Sequence, residues 1–231
     1  MALGEELASA VKKIFGDTWS KREGQKVPET DDLQLGNDAI TLTGTVLYAD
    51  LTDSTSLVNR QKAHFAAEIY KAYLRCSAKV IRSLGGTITA YDGDRVMAVF
   101  IGDSKNSNAA TCGLKINHAA RNIVQPAINA QYPKSEFQLR HVVGIDTSEL
   151  FIARTGIRGS NDLVWVGRAA NYAAKMSELP STYPTYIAAD VYNRLNGSAK
   201  FGGGDKRNMW TDLGTSQLGM RIYGSKWWSR V

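Results

Sequence analysis

Apolar residues recur at helical spacing near the start of the chain. Leu7, Val11, Ile14, Phe15 and Trp19 fall at i, i+4, i+7, i+8 and i+12, which predicts an amphipathic helix over residues 3–23. The stretch that follows, KREGQKVPETDDLQLGND, is polar and contains Pro28 and Gly36, so it reads as a linker or surface loop. From residue 40 the pattern changes. Residues 45–49 are β-branched and apolar, a buried strand. Residues 56–84 return to helical spacing through Phe65, Ile69, Tyr73, Val80, Ile81 and Leu84, and Gly85-Gly86 stops that helix. Residues 87–91 and 95–101 form two strands around a tight hairpin at Asp92-Gly93-Asp94. A second long helix spans 106–131, and a strand follows at 137–145.

This order, β-α-β-β-α-β, is the ferredoxin-like pattern, an α+β fold. A turn at Asp146-Thr147-Ser148 then leads to a strand over 149–155. Strands are expected at 163–166 and 186–188, and helices at 167–179 and 189–195. The glycine-rich end turns strand-like around 209–213 and 220–223. The expected organisation is an N-terminal helical arm and linker (1–40), a main domain (41–200), and a C-terminal strand extension of the same domain (201–231).

Composition narrows the function classes. The 231 residues are 43% hydrophobic and 22% charged, a globular rather than a disordered balance. No apolar run approaches the roughly 20 residues that a bilayer span needs. The first residues are interrupted by acids and lysines, unlike a signal peptide, and there are two cysteines. A reduced, cytoplasmic protein is expected. The net charge is +6, but it is spread without a basic block: residues 1–44 carry 5 basic and 8 acidic side chains, 45–199 carry 17 and 12, and 200–231 carry 6 and 2. This argues against nucleic acid as a partner and suits an anionic small substrate. The N-terminal helix reads as a packing or dimerisation arm, since its polar face is not basic enough for a membrane surface.

Two acidic turns carry the candidate chemistry. Asp50 ends the first strand, in YADLTDSTS, and Asp94 sits in the hairpin, in YDGDRVMAVF. In a ferredoxin-like sheet the first strand lies beside the third, so the two carboxylates can meet. They are either surface turn residues or a pair held together by a hard divalent cation, Mg²⁺ or Mn²⁺. Between Asp50 and the following helix, Leu51-Thr52-Asp53-Ser54-Thr55 offers backbone N–H groups and the hydroxyls of Ser54 and Thr55, which suit a phosphate or an ordinary helix cap. Asn171 and Lys175 lie at i and i+4 on one helix face, either a solvated face or an amide and a cation that orient a ribose and neutralise a phosphate.

Together these residues resemble the class III nucleotidyl cyclases over about residues 43–195. Asp50 and Asp94 match the family's two metal aspartates. DLTDST matches its phosphate loop, and Gly93-Asp94 its hairpin. GRAANYAAKM matches the helix that carries the transition-state asparagine, here Asn171. Lys175 stands where the family usually has arginine, keeping the charge and losing the bidentate fork. The resemblance implies two divalent cations on Asp50, Asp94 and the backbone carbonyl of Leu51, and 3′-hydroxyl attack on the α-phosphate with pyrophosphate leaving. It also implies a head-to-tail homodimer in which Asn171 and Lys175 serve the partner's site.

The chain departs from the family where purine-specific members read the base. Alignment through the motifs places Ala90 and Val164 at those two positions, and neither side chain can hydrogen-bond. Tyr48, on the same strand face as Asp50, together with Asp92 and Trp165, are the candidates to replace them; each can equally be a core or turn residue. A small cyclase domain without purine readers resembles the uridylate and cytidylate cyclases of bacterial Pycsar anti-phage systems, whose cyclic nucleotide activates a separate effector. A pyrimidine cyclase, with UTP ahead of CTP, is therefore expected. The alternatives are a catalytically inactive nucleotide-binding sensor and an adenylate cyclase with unconventional base contacts.

Overall fold

The computed structural model describes residues 2–231. In chain order the helices are α1 (Leu3–Gly16), α2 (Ser54–Arg60), α3 (Ala63–Ser83), α4 (Lys105–Ala119), α5 (Gln125–Gln131), α6 (Arg168–Ser177), α7 (Ala189–Asn193) and α8 (Gly197–Lys200). The strands are β1 (Ser20–Glu23), β2 (Asp38–Leu51), β3 (Thr87–Asp92), β4 (Arg95–Phe100), β5 (His141–Ile157), β6 (Ser160–Val166), β7 (Thr185–Ala188), β8 (Phe201–Gly202), β9 (Arg207–Asn208), β10 (Thr211–Thr215) and β11 (Arg221–Ser225). The chain packs as two compact units. One comprises the chain through Thr43 together with Glu149–Gly167, and the other comprises Gly44–Ser148 and Arg168–Val231.

The second unit carries the ferredoxin-like core. Its strands run in the order β5-β2-β4-β3, and the β5 side is extended by β7, β11 and β10. β2 and β4 are antiparallel, with Tyr48 opposite Met97 and Ala49 opposite Val96. Because side chains alternate along a strand, Leu47, Ala49 and Leu51 of β2 and Val96, Ala98 and Phe100 of β4 point to one face. There they join Phe65, Ile69 and Tyr73 of α3 and Leu114 and Ile116 of α4 in one apolar core. Tyr48 and Asp50 consequently belong to the opposite face. The C-terminal segment straps across α4: the Ser229 N–H donates to the Leu114 carbonyl, and Trp228 packs on His118 at 5.1 Å.

Helix α6 is seated against β5 at Gly144. A Cβ there would lie 2.2 Å from the Ala173 carbonyl oxygen and 2.6 Å from the Ser177 nitrogen, so only glycine allows this approach. The start of α6 is fixed by Arg168, which donates to Asp146 Oδ1 at 3.2 Å, to the Thr147 carbonyl at 3.0 Å and to Asp190 at 2.5 Å. The Ala169 N–H donates to Ser148 Oγ at 3.0 Å.

In the first unit, β1 runs parallel to the beginning of β2, and β6 pairs antiparallel with the later part of β5. No residue of α1 is buried. The Asn37 amide donates to the Ile14 and Asp17 carbonyls, closing the end of that helix.

Four expectations are corrected. The N-terminal helix stops at Gly16 rather than running to residue 23, because Asp17 is extended and the chain enters β1 with Trp19 edge-on to Phe151 at 5.0 Å. The helix expected over 56–84 is two helices that break at Gln61. The first strand is longer than 45–49, spanning Asp38–Leu51. Asp146-Thr147-Ser148 is no turn: it lies inside the single strand β5, which begins at His141 rather than 137. Its polar side chains find partners on α6, in Asn106's neighbour Thr45, and in the Gly44 carbonyl.

Candidate active site

The face of β2, β4 and β3 turned away from the helices collects the predicted groups. The register sets Tyr48 opposite Met97, Met97 opposite Ala90, and Arg95 opposite Asp92. Asp50 follows two residues after Tyr48 on the same face. Gly93, with φ of 58°, lets the β3–β4 hairpin turn so that Asp94 returns beside Asp50.

The charge of Asp94 acts on Asp50. Burial pushes the pKa of Asp50 up to about 6; the Arg95 guanidinium opposes that shift, and the negative charge of Asp94 adds to it. Asp94 Oδ2 is buried and has no hydrogen-bond partner. A repelling pair of hard oxygen ligands, one of them orphaned, is the donor set that a divalent cation satisfies. The N–H of Leu51 is turned to the Asp50 carboxylate.

The loop after Asp50 is tight. Asp53 adopts a left-handed conformation (φ 62°), and α2 starts at Ser54. The Thr52 N–H donates to the Arg140 carbonyl at 2.9 Å, tying the loop to the chain entering β5. Ser54 is half-buried, with its hydroxyl bonded to Tyr70, and Thr55 is exposed. Asn171 and Lys175 both lie exposed on α6, on the side away from buried Ala173 and Met176, and Lys175 Nζ sits 5.6 Å from the Tyr172 ring.

The base-reading candidates divide between the two units. Tyr48, Ala90 and Asp92 share the Asp50 face. Burial raises the pKa of Tyr48, so its hydroxyl stays protonated and can donate. Val164 is exposed and Trp165 half-buried on β6, in the first unit.

Three neighbours of the site escaped the sequence reading. Arg95 pairs with Asp50 Oδ2 at 2.9 Å and Glu178 Oε1 at 3.1 Å, and lies 5.9 Å from the Tyr48 ring. Glu178 follows α6 and brings its end to β4. Tyr70 feels the charges of Asp94 and Asp50, which with burial raise its pKa. The adjacency of Arg95 to Asp94 was the available signal; the pairing across 83 residues to Glu178 had none.

No protein-family model matches the chain. A uridylate cyclase of Xanthomonas perforans is 51% identical over 233 residues, covering all of both chains. A uridylate cyclase of Burkholderia cepacia is 52% identical over 229 residues, 98% of each. Among solved structures, the adenylyl cyclase CyaB from P. aeruginosa superposes with a TM-score of 0.68 at 20% identity, covering 81% of this chain and 95% of that one.

Proposed function

The chain belongs to the family of these uridylate cyclases and is a class III nucleotidyl cyclase, and on that premise we propose that it converts UTP, ahead of CTP, to the 3′,5′-cyclic monophosphate and pyrophosphate as a second messenger in anti-phage defence. The observation that carries the pyrimidine preference is the row Tyr48–Met97–Ala90 beside Asp50. Where a purine reader would stand there is a methyl group, and across from it a phenol narrows the space and offers a donor. Uracil presents two carbonyl acceptors, whereas cytosine replaces one of them with an amine. A donor facing the 4-position therefore favours UTP, whose O4 accepts, over CTP, whose 4-amine donates.

In this reading residues 41–200 form the catalytic domain, 1–40 an arm and linker, and 201–231 its C-terminal extension. Asp50, Asp94 and the Leu51 carbonyl hold divalent cations, Mn²⁺ or Mg²⁺. When bound, these supply Lewis acidity toward the 3′-hydroxyl and the departing pyrophosphate. Ser54, Thr55 and the loop N–H groups seat the triphosphate. Asn171 orients the ribose, and Lys175 neutralises charge at the α-phosphate. Both reach a partner subunit's site in a head-to-tail homodimer, which fits their exposure on α6. Asp92 borders the base, and Val164 and Trp165 are assigned to base contact by the family resemblance alone. The released cyclic nucleotide acts on a separate effector in the cytoplasm. No helix among the described residues is long and apolar enough to cross a membrane.

Tyr48→Ala tests the base assignment. Its kcat/KM for UTP should fall by about tenfold or more, the scale of one lost buried hydrogen bond with its packing, and the ratio of UTP to CTP turnover should move. An unchanged ratio would remove Tyr48 from the base pocket.

A further inference from the structure

A cavity of about 510 Å³ opens within the second unit, between α4, the residues that enter β5, the loop after α6, and the segment after β11. Its wall contains Arg121, Arg140 and Lys226 and no carboxylate. These cations are poorly compensated. Among the described residues Arg121 makes no ion pair, Arg140 reaches Asp53 at 3.8 Å with both side chains exposed, and Lys226 lies over the Tyr183 ring at 5.2 Å. Arg121 sits in the π-helical turn Ala120–Val124 that joins α4 to α5, a rare widening that often marks functional sites.

The floor is a built polar surface. Asn117 and His141 are 1% and 4% exposed. His141 lies 3.4 Å from both Tyr73 Oη and Asn117 Oδ1, and the Asn117 amide donates to the Trp227 carbonyl at 2.9 Å. The cavity is on the helix side of the sheet, and none of Asp50, Asp94, Ser54 or Asn171 lines it. Its volume suits a small-molecule ligand.

We propose that this cavity is a second anion site, which takes a phosphate-bearing small molecule of nucleotide size and adjusts turnover at the Asp50 site. Three exposed cations that line one cavity with no acid among its lining suit a phosphate anion. Two links connect the cavity to the reaction. The Arg140 carbonyl holds the Thr52 N–H of the loop after Asp50, and His141 meets Tyr73, which shares the apolar core with Leu51, the residue after Asp50. The site stands independently of which nucleotide the enzyme cyclises.

The test is titration calorimetry of the full-length protein in EDTA with pyrophosphate, UMP and cyclic UMP, followed by turnover assays at saturating probe. Wild type and Asp50→Ala should bind at least one probe equally, and Arg121→Gln should bind it about tenfold or more weakly, the scale of one charge-assisted contact. That probe should change kcat in wild type and leave kcat of Arg121→Gln unchanged. Preference for pyrophosphate would identify a bare phosphate group as the ligand, and preference for UMP or cyclic UMP a nucleotide. No binding of any probe, equal binding by Arg121→Gln, loss of binding in Asp50→Ala, or binding without effect on kcat would overturn the proposal.

Discussion

Asp50 and Asp94 were legible as single residues because each ends a strong local pattern, a buried strand in one case and a glycine hairpin in the other. Arg95 was not. Its place between Asp50 and Glu178 depends on contacts 45 and 83 residues away in sequence, which no local pattern encodes. His141 is another such residue. Its burial against Tyr73 and Asn117 comes from packing alone, and desolvation lowers its pKa to about 4. The unfolded state, with a pKa of about 6.5, then binds more protons than the folded state between these values. Stability from this group is complete above about pH 6.5 and is lost as pH falls toward 4, by about 3 kcal/mol. Denaturation curves of His141→Gln against wild type at pH 7 and pH 4.5 should show the variant losing less stability on acidification. Parallel losses in the two proteins would contradict the buried neutral histidine.

At the scale of elements, the ferredoxin-like order was readable because alternation in β2 and β4 and helical spacing in α3 are both strong. The long strand β5 was not. Asp146-Thr147-Ser148 has turn composition, yet inside the sheet Arg168 of α6 pairs with Asp146 Oδ1 and Thr45 of β2 with Thr147, leaving Asp146 Oδ2 without a partner among the described residues. A polar triplet reads as a strand only once its distant partners are known. The same strand seats α6 through Gly144. Gly144→Ala would force a Cβ into the Ala173 carbonyl and shift the helix that carries Asn171 and Lys175. Overpacking of this kind should cost about 1–3 kcal/mol. Thermal unfolding should shift downward, and kcat should fall more than KM rises if, as proposed, the displaced groups act on the reacting phosphate. A Gly144→Ala enzyme with wild-type kcat and thermal midpoint would show that α6 does not depend on this contact.

At the scale of the whole molecule, the carboxylates belong to the sheet while Asn171 and Lys175 are exposed on α6 and open to a second copy. The proposed head-to-tail pairing of two copies would bring them together in one site. Asp50→Ala and Asn171→Ala proteins should each be inactive alone. Mixed in equal amounts and allowed to exchange subunits, they should regain about a quarter of wild-type activity, since half of the dimers are mixed and each mixed dimer holds one intact site. No recovery after demonstrated exchange would place both groups in one chain's own site.

The most direct measurement is to incubate the purified protein with Mn²⁺ and ATP, GTP, CTP or UTP separately and to identify cyclic monophosphates by mass spectrometry. Cyclic UMP as the dominant product, with cyclic CMP next and little or no purine product, is the result expected from Tyr48, Ala90 and the Asp50–Asp94 pair. A cyclic purine as the main product would contradict the account of the base pocket, and no cyclic product from any of the four would contradict the assignment of the site as catalytic.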